Sequence, residues 1–251
     1  MAREVIDKVG LIIVGDEILN GRRQDKHFQY TMDLLHEWNC GLAYTLVLPD
    51  DMDVMLTHFK WAMAQPYPFF SCGGIGSTPD DVTRQAAAAA AGVALEQHAE
   101  ARQILIDRYG EEATEPRLRM VTFPIGSALV PNPVNQVPGF GIANGYFLPG
   151  FPSMAAPMMR WILETYYEPG AEKVRFTMAL PNTREADLTD LMETFVSDYT
   201  DLTFSSLPQH TDAGPRVILS ISGIPELAEG AYSDLKQRLS DVSVTFEENA
   251  S

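Results

Sequence analysis

A seven-residue apolar run, VGLIIVG (Val9–Gly15), bounded by glycine and followed at once by DEIL, most constrains what this chain can fold into. A run without polar alternation implies a strand buried on both faces, as in a parallel sheet covered by helices. The next segments keep that rhythm. DKHFQYTMDLLHEWNCG sets Phe28, Met32, Leu35 and Trp38 near helical spacing, with Gly41 as a stop. LAYTLVLPD reads as a strand, and DMDVMLTHFKWAMAQ as a helix with Met52, Met55, Phe59 and Ala62 on its inner stripe. PFFSCGG is a third strand, ending in glycines ahead of an alanine-rich helix. Alternation of this kind predicts an α/β domain with a mostly parallel sheet between two helical layers.

The span from His98 to Pro138 combines a helix, HAEARQILIDRYG, the ambiguous RLRMVTFP, and a loop rich in proline and glycine. GYFLPG reads as another strand. SMAAPMMRWILETYY reads as a closing helix that Pro157 either kinks or enters in its first turn. After EPGAE the order becomes strand, helix, strand, strand, helix, strand, which is the α+β ferredoxin-like arrangement. The predicted domains are therefore 1–169 and 170–251. Charge supports a boundary there: the first 170 residues carry 20 acidic and 12 basic groups, and the last 81 carry 14 and 6, so the smaller part is the more acidic per residue.

A net charge of −16 over 251 residues argues against nucleic acid or an anionic membrane surface as partner, because both require clustered Lys and Arg. The first apolar run is too short to span a bilayer and no cleavage signal follows it, so the expected location is cytoplasmic. Cys40 and Cys72 fit no metal or C-x-x-C pattern and are expected to be buried thiols of a reducing compartment. A small phosphorylated ligand is compatible with this charge if a divalent cation neutralises ligand and acids together.

The chemistry concentrates in SCGGIGSTPDDVT. Gly73, Gly74 and Gly76 follow a strand and precede a helix, so backbone N–H groups of Gly74, Gly76, Ser77 and Thr78 can approach an anion without interference from Cβ atoms. Asp80 and Asp81 stand in the same loop. One reading makes them only a helix start, with Thr78 as N-cap, Pro79 in the first position and Asp81 as the acid of a capping box. The other makes them metal ligands. GDEILNGRRQDKH places Gly15, Asp16, Glu17 and Asp25 at the carboxyl edge of a neighbouring strand, where ligands of open α/β sheets bind. LPGFPSM brings Gly150, Pro152 and Ser153 to a third strand-to-helix loop. Carboxylates converging on a phosphate loop point to a divalent metal (Mg, Mn or Co) held by Asp80 and Asp81 with Asp16 or Asp25, and to a bound diphosphate. Arg22 and Arg23 could steer a phosphate.

In order and spacing, GDEILNG…QD, GGIGSTPDDVT and LPGFPSM resemble the molybdopterin-binding (MoaB/Mog) domain family, most closely the amino-terminal domain of the competence/damage-inducible CinA proteins and the hydrolase-like domain of eukaryotic FAD synthases. The resemblance covers about residues 8 to 168, and the ferredoxin-like tail is similar to the second CinA domain. It implies a three-layer fold, a homo-oligomer (dimer or trimer), and a nucleotide or pterin ligand such as molybdopterin. CinA-like members resemble metal-dependent ADP-ribose pyrophosphatases, and adenylyltransferases of the family use the acid in the position of Asp81. Three residues depart from the pattern: Ser77 replaces a proline, His27 an asparagine and Ser153 an acid. The resemblance does not extend to the nicotinamide mononucleotide deamidase domain of full-length CinA. The leading expectation is metal-dependent hydrolysis of a nucleotide diphosphate bond, with Asp80 and Asp81 as catalytic residues. The alternatives are pterin binding or adenylyl transfer in molybdenum cofactor synthesis, and ligand binding without turnover.

Overall fold

The computed structural model describes residues 3–212 and 214–248. The chain forms two compact units, Met1–Gly170 and Ala171–Ser251.

In the first unit, β1 (Glu4–Ile6), β2 (Lys8–Val14), α1 (Asp16–Leu19), α2 (His27–Glu37), β3 (Gly41–Leu48), α3 (Met52–Met63), β4 (Phe69–Cys72) and α4 (Thr83–Ala91) follow in order. Then come β5 (Leu95–Gln97), α5 (Ala99–Tyr109), α6 (Glu115–Leu118), β6 (Thr122–Pro124), β7 (Ala128–Val130), β8 (Gly139–Ile142), β9 (Gly145–Leu148), α7 (Pro152–Tyr166) and β10 (Tyr167–Pro169). The central sheet has the order β3-β2-β4-β9-β8-β7. β3, β2, β4 and β9 run parallel; β8 turns back antiparallel on β9, and β7 is antiparallel to β8.

The unbroken apolar character of β2 follows from its place inside this sheet. Leu11 and Ile13 enter the core that holds Leu34, Leu35, Met158 and Ile162 of α2 and α7. Ile12 and Val14 point to the other face, into a core with Met55, Phe59, Ala86 and Leu105. Successive strand residues thus feed two separate cores, which is the three-layer α/β arrangement expected from sequence. β1 and β10 add a short parallel pair, and β5 pairs with β6.

Two local expectations are corrected, and one of the two places open to Pro157 is taken. The inner face of α2 is His27, Thr31, Leu34 and Leu35, whereas Phe28 and Met32 are exposed by 45% and 37%. Asp25 caps the helix from His27 onward, and this start places the apolar phase about 100° from the expected one. The alanine-rich helix begins at Thr83, not at Pro79, because Thr78–Asp81 closes as a turn of its own and the Thr83 N–H is taken by the Gly74 carbonyl at 3.1 Å. Pro157 lies inside α7, which continues to Tyr166, while Pro152 takes the first position.

The second unit contains β11 (Val174–Pro181), α8 (Thr189–Asp198), β12 (Thr203–Thr211), β13 (Gly214–Gly223), α9 (Pro225–Asp241) and β14 (Glu247–Glu248). All pairs of its sheet, ordered β12-β13-β11-β14, are antiparallel, giving the ferredoxin-like arrangement. Met178, Leu180, Leu219, Ile221, Phe195 and Leu235 form its core. The final strand is shorter than the run VSVTFEE suggests. α9 extends to Asp241 and Ser243 adopts φ +61°, so among the described residues only Glu247 and Glu248 reach pairing register with β11. No helix among the described residues is long and apolar enough to cross a membrane.

Candidate functional site

The carboxyl ends of β2, β4 and β9 meet at one cavity of about 570 Å³. Gly15 leaves β2, Gly73–Thr78 leaves β4, and Pro149–Phe151 leaves β9, and all three loops line it. The glycines make their close contact feasible. Gly73 has φ +115° and a Cβ there would collide with the Val14 backbone carbonyl; Gly74 has φ +66° and would meet Thr83 Oγ1. A Cβ on Gly150 would stand 3.4 Å from the Cα of Gly73, so the second and third loops touch through glycine. Ile75, 9% exposed, anchors the loop in the core below. The amides of Gly74, Gly76 and Ser77 meet no acceptor among the described residues.

Thr78 differs from these donors. Its N–H donates to Asp81 Oδ2 at 2.8 Å, and its hydroxyl donates to the same oxygen. Asp81 therefore makes the reciprocal contact of a capping box, in a turn two residues ahead of the actual helix. Asp80 is exposed, and its carboxyl is held below the ordinary carboxylate range chiefly by the nearby Thr78 hydroxyl. Behind the loop, Arg84 of α4 is buried, donates to the Arg119 carbonyl at 2.8 Å, and feels the charge of Asp81. Burial lowers its pKa, yet a guanidinium stays charged at neutral pH. It is a fixed positive charge beneath an anion-type loop.

The acids sort into those on the cavity and those beside it. Glu17, Asp80 and Asp81 line it, together with Asp50 at the end of β3. Asp16 does not; its N–H donates to Asp50 Oδ2 at 2.9 Å, so it acts by positioning Asp50. Burial raises the Asp50 pKa, the Asp16 N–H opposes this, and the charges of Asp16, Glu17 and Asp80 raise it further. Asp25 is also outside the lining. Its Oδ1 accepts from the His27 N–H and its Oδ2 from the Phe28 N–H, both at 2.9 Å, and His27 Nδ1 lies 2.9 Å from Oδ1. Burial pushes the Asp25 carboxyl up, but these bonds outweigh it and hold its pKa below the ordinary value. His27 is 5% exposed; burial lowers its pKa against the opposing pull of Asp25. Pro152 and Ser153 belong to the first turn of α7 and do not line the cavity. Among the described residues no three His, Cys, Asp or Glu side chains form a ready-made metal cage.

Sequence reasoning missed several lining residues: Asp50, Tyr109, Met120, Asn132, Asn135, Val137 and Phe151. Asp50 carried a usable signal, since LPD ends a parallel strand at the same sheet edge. Phe151 lies within LPGFPSM, where sequence reasoning takes only Gly150, Pro152 and Ser153, and the others come from segments without motif character. Arg23 is the cation of the cavity wall, with its guanidinium 5.5 Å from the Phe151 ring centroid and 3.9 Å from Glu17. Arg22 instead bonds Asn20 through Nε at 3.0 Å.

Known proteins resemble this chain in both sequence and fold. A CinA-like protein of Citrifermentans bemidjiense is 29% identical over 248 residues, covering 93% of this chain and 58% of the relative. A CinA-like protein of Sulfurihydrogenibium sp. is 33% identical over 216 residues, covering 82% and 52%. The chain thus spans little more than half the length of these relatives. A solved structure described as CinA with unknown function, from Thermoplasma acidophilum, superposes with a TM-score of 0.59 at 27% identity, covering 64% of this chain and 99% of that one. Residues 10–168, which carry all three cavity loops, match the family described as a probable molybdopterin binding domain, and the chain belongs to that molybdopterin-binding, CinA-like family.

Proposed function

We propose that the protein hydrolyses the diphosphate bond of a nucleotide such as ADP-ribose, with a divalent cation in the cavity. The observation that carries this reading is the meeting of amide donors and carboxylates at one opening: Gly74, Gly76 and Ser77 offer N–H groups where Glu17, Asp50, Asp80 and Asp81 present negative charge. An anion alone would be repelled by that rim. The donor set suits Mg²⁺, which takes one or two carboxylates with substrate phosphate and water rather than a full protein cage. The Asp50 pKa is raised chiefly by burial and further by the charges of Asp16, Glu17 and Asp80, and a cation would relieve that smaller, repulsive part.

When bound, the cation would supply charge neutralisation and a water of lowered pKa. Two of the lining carboxylates, Asp80 and Asp81, would hold it, with the charge of Asp50 beside them. The loop amides bind the pyrophosphate oxygens and stabilise the charge that grows on them during cleavage. Arg23 pairs with a second phosphate from the cavity wall. Rotation of Asp81 off Thr78 adds the Thr78 N–H and hydroxyl to the donor set.

The test is a turnover screen of ADP-ribose, FAD, NAD and diadenosine compounds with and without Mg²⁺, Mn²⁺ or Co²⁺, run beside Asp81→Asn. Metal-dependent release of AMP, lost in the variant, supports the reading; no release from any of them sinks it. A second reading, binding of a pterin or adenylyl transfer to one, is favoured by the family description of residues 10–168 and by the Tyr109, Met120 and Val137 walls, which suit a planar ring. Copurification of a fluorescent pterin without nucleotide turnover distinguishes it.

A further inference from the structure

Part of the cavity wall is built by the segment joining β7 to β8, and there the structure holds a polar group that the reaction described above does not use. Asn132 lines the cavity while only 4% exposed. Its carboxamide orientation is fixed, because Oδ1 accepts from the Val134 N–H at 3.0 Å and the Asn135 N–H at 3.4 Å. The –NH2 end therefore faces away from the turn, and Nδ2 is buried without an acceptor among the described residues. Buried amide donors are nearly always paired, so an orphan at a ligand cavity indicates a partner supplied by the ligand. The neighbouring Asn135 is not equivalent: its Oδ1 accepts from the Val137 N–H at 3.0 Å and its Nδ2 lies 3.5 Å from Met154 Sδ. Val137 and Met120 add apolar surface to the same cavity.

We infer that Asn132 is the specificity-determining donor of a heterocycle subsite, and that it takes the ring of a purine nucleoside diphosphate by donating from Nδ2 to a ring nitrogen. The inference rests on the reading that the glycine loops hold a nucleotide diphosphate. A planar base against Val137 and Met120 is held by contact on its faces. Asn132 supplies the one directional bond that tells one ring edge from another.

Calorimetric titration of the full chain with Mg²⁺ tests this, using pyrophosphate, ADP and the 1-, 3- and 7-deaza analogues of ADP as probes. Asn132→Asp is the partner variant, since aspartate keeps the acceptor for Val134 and Asn135 and removes the donor. ADP is expected to bind the wild type about 10-fold or more tighter than pyrophosphate, and one deaza analogue is expected to lose about 10-fold. In Asn132→Asp that analogue and ADP should bind alike, a ratio that the added charge does not move. The inference is overturned if ADP gains nothing over pyrophosphate, if the wild type treats all three analogues as ADP, or if the variant keeps the discrimination. Should the variant not fold, the wild-type analogue series alone decides. Wild-type protein that binds neither pyrophosphate nor ADP removes the underlying diphosphate reading, an outcome distinct from the others.

Discussion

The Asp81 carboxylate closes on Thr78, one oxygen accepting both the Thr78 N–H at 2.8 Å and its hydroxyl. In this state the acid that the functional reading assigns to a cation is also the acid that ties up two donors of the phosphate loop. Asp81→Asn keeps an acceptor oxygen for Thr78 but loses the charge. It should retain its fold, with a melting temperature within a few degrees of wild type, and lose roughly 100-fold or more in metal-dependent turnover. Unchanged turnover would remove Asp81 from the machinery.

Two glycines three residues apart should respond in opposite ways to alanine. A Cβ on Gly73 runs into the Val14 backbone at φ +115°, and neither can give way cheaply; Gly73→Ala should cost about 3 kcal/mol or more, visible in a denaturant melt. A Cβ on Gly76 would stand 2.5 Å from Asp81 Oδ2, the movable end of a side chain. Gly76→Ala should therefore melt close to wild type while displacing Asp81 and lowering turnover. A Gly73→Ala protein as stable as wild type would contradict the tight loop packing.

Asp50 gives a pH dependence with a defined sign. Its folded-state pKa is raised above 3.8, so the folded protein binds this proton more tightly than the unfolded chain does. Its contribution destabilises the fold as pH rises from 3.8 through the folded pKa, and is fully unfavourable above it. Asp50→Asn should melt higher than wild type at pH 7 without metal, and the gain should shrink on acidification toward pH 4. Millimolar Mg²⁺ should raise the wild type toward the variant, as thermal melts with EDTA and with Mg²⁺ would show.

His27 has the opposite consequence. Its folded pKa lies below 6.5 because the ring is buried, so on acidification below 6.5 the unfolded chain takes a proton that the folded one resists. Stability should fall as pH drops through that range, and His27→Asn should flatten this part of the profile. An unchanged slope in melts between pH 5 and pH 7 would show that another group sets it.

Much of the architecture was legible because it rests on local pattern. The both-face apolar run of β2, the Met55–Phe59–Ala62 stripe of α3 and the βαββαβ order of the second unit each depend on near neighbours in the chain. The glycine loop was legible too, since strand, glycines and acids are contiguous there. The helix phase at Phe28 was not. It depends on where Asp25 places the first turn, a choice of one residue that spacing alone leaves open.

What the sequence determined by itself was the set of strand-to-helix loops and their chemistry: Gly15 with Glu17, Gly73–Asp81, and Gly150. Which acids share an opening was decided only by the tertiary structure. Asp25 and Asp16 lie in the same loop region as Glu17, but Asp25 bonds the start of α2 and Asp16 positions Asp50, so neither lines the cavity. Asp50, Arg84 and Asn132 arrive from distant segments, and their roles come from burial and from partners or their lack. The physical reason is that a carboxylate or an amide acts through whatever donor, acceptor or charge stands a few ångströms away, and that neighbour is fixed by sheet order and helix packing rather than by position along the chain.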